Sequence, residues 1–204
     1  MSRLRLCLLA GTAMLGLAGC ASAPLHYYTL ITPAGSNASA ATPARYPFEL
    51  LPVTVPAQVD VPQLVVREGG QGMLPLQDQR WIAPLGDEIR GALAADLGRA
   101  LGVPDMSSLP GNGRPRLRIM LDVRRFESVP GDHALIDAAW SLRLVGGSGG
   151  QDALACSSRI SEPVAAGYDA LVAGHQQALA ALAARIAATA RSYEAGQAPA
   201  CPAD

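Results

Sequence analysis

The sequence predicts an α+β domain, in which two helices cover one face of an antiparallel or mixed sheet. Apolar and polar residues alternate through residues 116–124, which is typical of a half-buried strand. Between residues 85 and 101 an apolar side chain recurs at every fourth position, which is typical of an amphipathic helix. The order of these segments gives the class: strands precede one helix, and a three-stranded meander precedes another.

The chain begins with a segment typical of a bacterial lipoprotein signal peptide. Arg3 and Arg5 precede an apolar run over residues 6–17, which is shorter than the ~20 residues that a membrane-spanning helix needs. The run closes on the sequence LAGC, a lipobox that ends at Cys20. We predict a signal peptide over residues 1–19 and a mature chain that carries diacylglycerol and an N-acyl group, such as palmitate, on Cys20. A transmembrane helix or soluble secretion is the alternative.

The composition argues against nucleic-acid binding. All 16 basic residues are arginine, 17 acidic residues balance them, and the formal net charge is −1. A nucleic-acid-binding domain carries a clear excess of basic residues instead. Since no other apolar run is long enough to span a bilayer, the membrane contact that the sequence predicts is the acyl anchor.

A lipidated tether, residues 20–26, joins the signal cleavage site to the first predicted strand, residues 27–31. An extended segment of this length reaches ~20 Å, so we expect the folded domain close to the bilayer. Ala21 stands where many Gram-negative inner-membrane lipoproteins carry Asp, which favours the outer membrane with the domain facing the periplasm. Residues 32–47 are rich in Ala, Ser, Thr, Pro and Gly and are predicted to form a flexible loop.

The remaining elements form a single domain over residues 27–195, followed by a C-terminal tail over residues 196–204. The helix with the apolar repeat is expected to begin after Pro84 and to end before Gly102. The other predicted elements are strands at residues 48–55, 63–67, 116–124, 136–144 and 154–160, and a long helix at residues 168–193.

Two cysteines of the mature domain, Cys156 and Cys201, are candidates for a disulfide. Cys7 leaves with the signal peptide and Cys20 carries lipid, so these two thiols are left over in an oxidising compartment. The alternative is a buried Cys156 that acts as a small apolar residue and a free thiol at Cys201.

Motifs that carry catalysis or hold a metal are missing from the sequence, which predicts no enzyme, no metal and no cofactor beyond the lipid. The glycine-rich segments at 69–72 and 111–113 lack the strand-to-helix context of a phosphate-binding loop. His26, His133 and His175 are isolated from other ligand-type residues, and His175 is expected to be partly buried in the last helix.

Arginines concentrate between residues 114 and 125, and three of them, Arg116, Arg118 and Arg124, are predicted on one strand face. The other two are Arg114 and Arg125. One interpretation is a solvated face balanced by Asp122 and Glu127. The other is a partner-binding surface for acidic side chains or anionic lipid head groups.

The two tryptophans also allow different interpretations. Trp140 alternates with apolar positions of its strand and is expected in the core. Trp81, just before Pro84, is either packed against the helix entrance or exposed as a docking residue.

Five motifs, in the order in which they occur, are similar to those of the ABC-type transport auxiliary lipoprotein family, the PqiC/YmbA type. They are YYTL at residues 27–30, VTVP with PQLVVR at 53–56 and 62–67, WIAPL at 81–85, Trp140, and GYDALV at 167–172. The resemblance covers most of the mature chain.

The resemblance implies a non-enzymatic subunit of an MCE-type lipid-transport system. Such a lipoprotein anchors or caps the outer-membrane end of a tunnel built by an MCE-domain protein and supports envelope integrity. Because such tunnels are oligomeric, a homo-oligomeric cap would match them. Two alternatives stay open: a structural or regulatory lipoprotein that docks on a cell-wall synthase or a secretion channel, and a lipid-anchored hydrolase with a nucleophile among Ser157, Ser158 and Ser161.

Overall fold

The described part of the chain forms two β-sheets and two helices. The computed structural model describes residues 24–33, 42–110, 113–146, 153–196 and 200–202, so the predicted signal peptide and Cys20 lie outside the described residues. In chain order the elements are β1 (His26–Tyr28), β2 (Phe48–Leu50), β3 (Gln63–Glu68), β4 (Gly72–Trp81), α1 (Leu85–Leu101), β5 (Arg116–Val129), β6 (His133–Val145), β7 (Leu154–Pro163) and α2 (Tyr168–Glu194).

The larger sheet has four strands in the order β2-β5-β6-β7. β5, β6 and β7 form the predicted antiparallel meander, and β2 adds to its edge parallel to β5. The inward positions that alternation predicted on β5 are all buried: Leu117, Ile119, Leu121 and Val123. A bulge after Val123 shifts the register, so that Arg124 and Arg125 are both exposed before Phe126 returns to the core.

The smaller sheet has three strands in the order β1-β4-β3 and contains β4, which the sequence did not predict. β1 pairs parallel with β4, and β3 pairs antiparallel with it. β4 carries Pro75 in its middle and four consecutive polar residues at 77–80, so it lacks the alternation of a half-buried strand. The α+β class with mixed sheets and two helices is confirmed, and the strands are divided between two sheets.

Both predicted helices are present and pack against each other. α1 ends at Gly102, whose φ of 66° is the left-handed conformation that glycine adopts most easily at a helix end. α2 also packs on β6 and β7, and it comes so close at Gly174 that a Cβ there would lie 2.2 Å from Val164 Cγ1. The predicted apolar face of α2 is buried at Leu171, Leu179, Leu182, Ile186 and Tyr193.

The predicted strand at residues 48–55 is shorter in the structure. Its regular part ends at Leu50, before Pro52, and only Thr54 returns to β5 through an isolated bridge to Asp122. Proline has no N–H for a strand ladder, which accounts for the early end. Within the described ranges, neither helix is long and apolar enough to cross a membrane.

Candidate partner-binding surface

Two of the predicted arginines, Arg116 and Arg118, share one carboxylate. They lie two positions apart on β5 and therefore on the same sheet face. On the neighbouring strand β2, Glu49 Oε2 accepts hydrogen bonds from Arg116 Nε at 2.7 Å and from Arg118 Nε at 3.2 Å. The hydrogen bond from Arg116 lowers the pKa of the Glu49 carboxyl, outweighing the opposite effect of burial. The acid that pairs with these two arginines is Glu49, whereas the predicted Glu127 pairs with Arg125 farther along β5.

Arg124 does not join the other two. It lies eight positions beyond Arg116 on β5, a distance of ~26 Å along an extended strand. Its guanidinium pairs with Asp137 of β6 at 2.9 Å, and half of its side chain remains exposed. The three arginines therefore belong to two separate regions of the sheet.

Glu127 forms a third ion-paired group, with Arg67 of β3 and Arg125 of β5. Burial would raise the pKa of the Glu127 carboxyl, but the hydrogen bond from Arg67 and the charge of Arg125 lower it instead. Because Arg67 comes from the smaller sheet, this group joins the two sheets at their boundary.

A cavity of about 300 Å³ lies beside Arg116, where β2 and β5 begin. Its lining combines cationic and apolar side chains: Arg45, Tyr46, Met106, Leu109, Arg114 and Arg116. The guanidinium carbon of Arg45 lies 5.2 Å from the centre of the Tyr46 ring, a cation–π contact. Sequence reasoning missed Arg45, Tyr46, Met106 and Leu109, because they lie in connecting segments, where no periodic pattern indicates which way a side chain points.

Trp81 is a core residue and not an exposed docking residue. It is 4% exposed, and its ring meets Phe126 edge to face at 6.2 Å between centroids. It is the last residue of β4, where alternation points its side chain inward. The exposed residue at this place is the next one, Ile82, at 61%. Both border a second cavity of about 380 Å³, walled by Pro62 and Pro84.

A buried serine–histidine pair lies under α2. His175 Nε2 and Ser128 Oγ are 2.8 Å apart, and the imidazole stacks on Phe126 at 4.0 Å. Burial, with a smaller effect from His133, lowers the pKa of His175 to about 3, so the ring is neutral. His175 is fully rather than partly buried, and the pair has no open face towards a substrate.

The serines considered as nucleophiles lie on β7. Ser158 is buried and accepts a hydrogen bond from Trp140 Nε1 at 3.1 Å, while Ser157 and Ser161 alternate with it on the exposed face. Over the residues that the structure describes, no three His, Cys, Asp or Glu side chains come together as a metal site.

A disulfide joins Cys156 of β7 to Cys201 of the tail. The link holds the chain end against the outer strand of the larger sheet.

The segment that enters the domain is held by α2. The Tyr28 hydroxyl donates to Asp169 Oδ1 at 3.0 Å, and burial together with this hydrogen bond raises the pKa of Tyr28 to about 12. On either side of His26 the apolar side chains of Leu25 and Tyr27 remain exposed.

Comparison with known proteins identifies the family. A crystal structure of an uncharacterized protein shares the fold, with a TM-score of 0.63 and 20% sequence identity over 81% of this chain and 98% of that one. Protein XCC0632 from Xanthomonas campestris, described as a member of family DUF330, has a TM-score of 0.60 and 15% identity over 84% of this chain and 98% of its own. None of the curated proteins matches the chain significantly. The sequence model of one family, the ABC-type transport auxiliary lipoprotein component, matches residues 28–187. The chain therefore belongs to the family of ABC-type transport auxiliary lipoprotein components.

Proposed function

We propose that this protein is the outer-membrane lipoprotein subunit of an MCE/ABC-type lipid-transport system. In this proposal it anchors or caps the periplasmic tunnel of an MCE-domain protein and thereby supports envelope integrity. Membership of the transport auxiliary family is the observation that carries the proposal. The lipobox ending at Cys20 and the residue that follows it, Ala21, support lipidation and the choice of membrane.

The position of β1 supports a domain held close to the bilayer. β1 begins at His26, so the tether from Cys20 spans at most ~20 Å. The exposed side chains of Leu25 and Tyr27 come at the end of this tether. Apolar and aromatic side chains of this kind suit the boundary between head groups and water.

The exposed arginines supply a surface for the tunnel protein. The side chain of Arg118 is 40% exposed and pairs with Glu49 of β2, and that of Arg124 is 51% exposed and pairs with Asp137 of β6. A partner carboxylate that approaches from solvent adds to these pairs without uncovering a buried charge. We therefore place the contact with the partner on the exposed face of β5.

The first test is crosslinking in cells, followed by purification of the tagged protein in mild detergent and mass spectrometry of what accompanies it. Recovery of an MCE-domain protein is the expected result. Recovery of a cell-wall synthase or a secretion channel in its place would overturn the transport role and leave the family assignment intact.

The second test replaces the acylation site, Cys20→Ser, with Cys7→Ser in the signal peptide as the matched control. We expect Cys20→Ser to release the protein from the membrane fraction and to abolish function, because the anchor is lost. Cys7→Ser is expected to leave membrane association and function unchanged. Full activity of the released protein would contradict the anchoring role.

A further inference from the structure

We infer that the cavity lined by Arg45, Arg114 and Arg116 binds the phosphate-bearing head of an amphiphile. This inference goes beyond the proposed function and rests on the cavity alone. Failure of the crosslinking experiment would leave it standing, and its own failure would leave the transport role standing.

The charge around the cavity favours an anion. Three guanidinium groups line it, and Arg118 lies next to Arg116 on the same face of β5. Two carboxylates offset part of this charge: that of Glu49, which serves both Arg116 and Arg118, and that of Glu194, which accepts from the backbone N–H groups of Arg45 and Tyr46. Within the described residues Arg45 makes no ion pair. A phosphate group accepts hydrogen bonds from several guanidinium groups at once, which matches this excess.

The cavity is built before any ligand arrives. The Glu194 carboxylate accepts hydrogen bonds from the backbone N–H groups of Arg45 at 3.0 Å and Tyr46 at 3.3 Å, which holds this segment to the end of α2. The face of the Tyr46 ring then holds the guanidinium of Arg45 through the cation–π contact. A positively charged group held in place in this way loses little conformational entropy when an anion binds.

The other wall is apolar, which distinguishes an amphiphile from a free anion. Leu109 is 55% exposed although it is a large apolar side chain, and Met106 continues the apolar wall beside it. A volume of about 300 Å³ is at the lower end for ligand pockets, so it suits a head group with the first carbons of its chain.

The test uses the lipidated protein in micelles of an uncharged detergent and hexyl phosphate as the probe. Saturable binding is measured by calorimetry against empty micelles. Protection of arginines from phenylglyoxal, with mass spectrometry of the peptides, gives the location. We expect protection at Arg45, Arg114 and Arg116 and none at Arg124, which lies on the same strand but far from the cavity.

Three variants separate the contributions. Arg45→Gln is expected to raise the Kd for hexyl phosphate about tenfold, because one charge-assisted hydrogen bond is lost. Leu109→Asn is expected to weaken the binding of hexyl phosphate and to leave the binding of inorganic phosphate unchanged. Arg124→Gln is the matched control and is expected to change neither. Leu109 and Arg45 are exposed, so these substitutions leave the core untouched.

Four results would overturn the inference. Inorganic phosphate that binds as tightly as hexyl phosphate would make this a site for the free anion. If hexyl glucoside bound as tightly as hexyl phosphate, the charge of the arginines would play no part in binding. If an acidic peptide bound more tightly than hexyl phosphate, the cavity would be a contact site for a protein. Hexyl phosphate that shows no saturable binding would exclude the site altogether.

Discussion

The buried carboxylate of Glu88 on α1 holds the chain at Leu30, just after β1. Glu88 Oε2 accepts a hydrogen bond from the backbone N–H of Leu30 at 2.8 Å, and a second from the Thr29 hydroxyl at 2.8 Å. Leu30 is itself buried, so its N–H depends on this carboxylate instead of water. One side chain of the helix therefore fastens the segment that leads from the tether into the domain.

Replacing this carboxylate, Glu88→Ala, should lower the free energy of unfolding by about 3 kcal/mol, because a buried N–H loses its partner. Urea unfolding monitored by circular dichroism measures the change. Asp87→Ala is the matched control, since Asp87 is an exposed acid in the same helical turn. If both variants lost the same stability, the effect would belong to the helix N-terminus and not to the contact with Leu30.

The neutral ring of His175 makes stability depend on pH. Its pKa is about 3 in the folded protein and ordinarily 6.5, so the unfolded chain takes up a proton between these values and the folded protein does not. Stability from this group is complete above pH 6.5 and is lost as the pH falls towards 3, by about 1.4 kcal/mol for each pH unit. His175→Gln should flatten this dependence in urea unfolding measured from pH 7 downwards. His26→Gln, at an exposed position, serves as the control, and an equal flattening in both variants would refute the assignment.

Because Trp81 is buried, we predict that replacing it lowers the stability of the domain and does not remove a contact with the partner. Trp81→Ala removes a buried indole packed on Phe126 and should lower the free energy of unfolding by about 4 kcal/mol. Ile82→Ala, at the exposed next position, should change stability by less than about 1 kcal/mol. Thermal unfolding of both variants tests this. A stable Trp81→Ala protein that fails to recover its partner in crosslinking would restore the docking role.

The disulfide between Cys156 and Cys201 predicts how the two thiols react with a probe and how much stability is lost without the bond. Without reductant a thiol-reactive probe should label neither residue, and reductant should expose both. The bond closes a separation of 45 residues, so Cys201→Ser should lower stability by about 2–4 kcal/mol. Ready labelling without reductant would exclude the bond, and Ser157→Ala provides a control substitution beside it on β7.

Local sequence patterns were sufficient for the elements that repeat regularly. The apolar residue at every fourth position placed α1, and alternation placed β5 and β6, because each pattern records one side of an element that faces the core. β4 was missed for the same physical reason. Its middle holds Pro75 and a polar run, and its place comes from pairing with β1 and β3 instead of from its own pattern.

The candidate site was only partly predictable because its contacts join distant parts of the chain. Arg116 was visible as part of a basic strand face, but its partner Glu49 lies 67 residues earlier. Arg45 and Leu109 come from connecting segments, where no periodicity indicates direction. The burial of Trp81 followed from the end of β4, an element that the sequence did not reveal.

The position of β1 at the edge of the smaller sheet has a mechanical consequence. β1 pairs with β4 over three residues and has no other strand beside it in the described sheet. A pulling force applied through the residues before His26 therefore loads β1 first. Such a force would detach this strand while the larger sheet, with Arg116 and Glu49 on it, keeps its shape. In the proposed anchoring role, the short pairing of β1 with β4 is thus the first contact that tension on the tether would load.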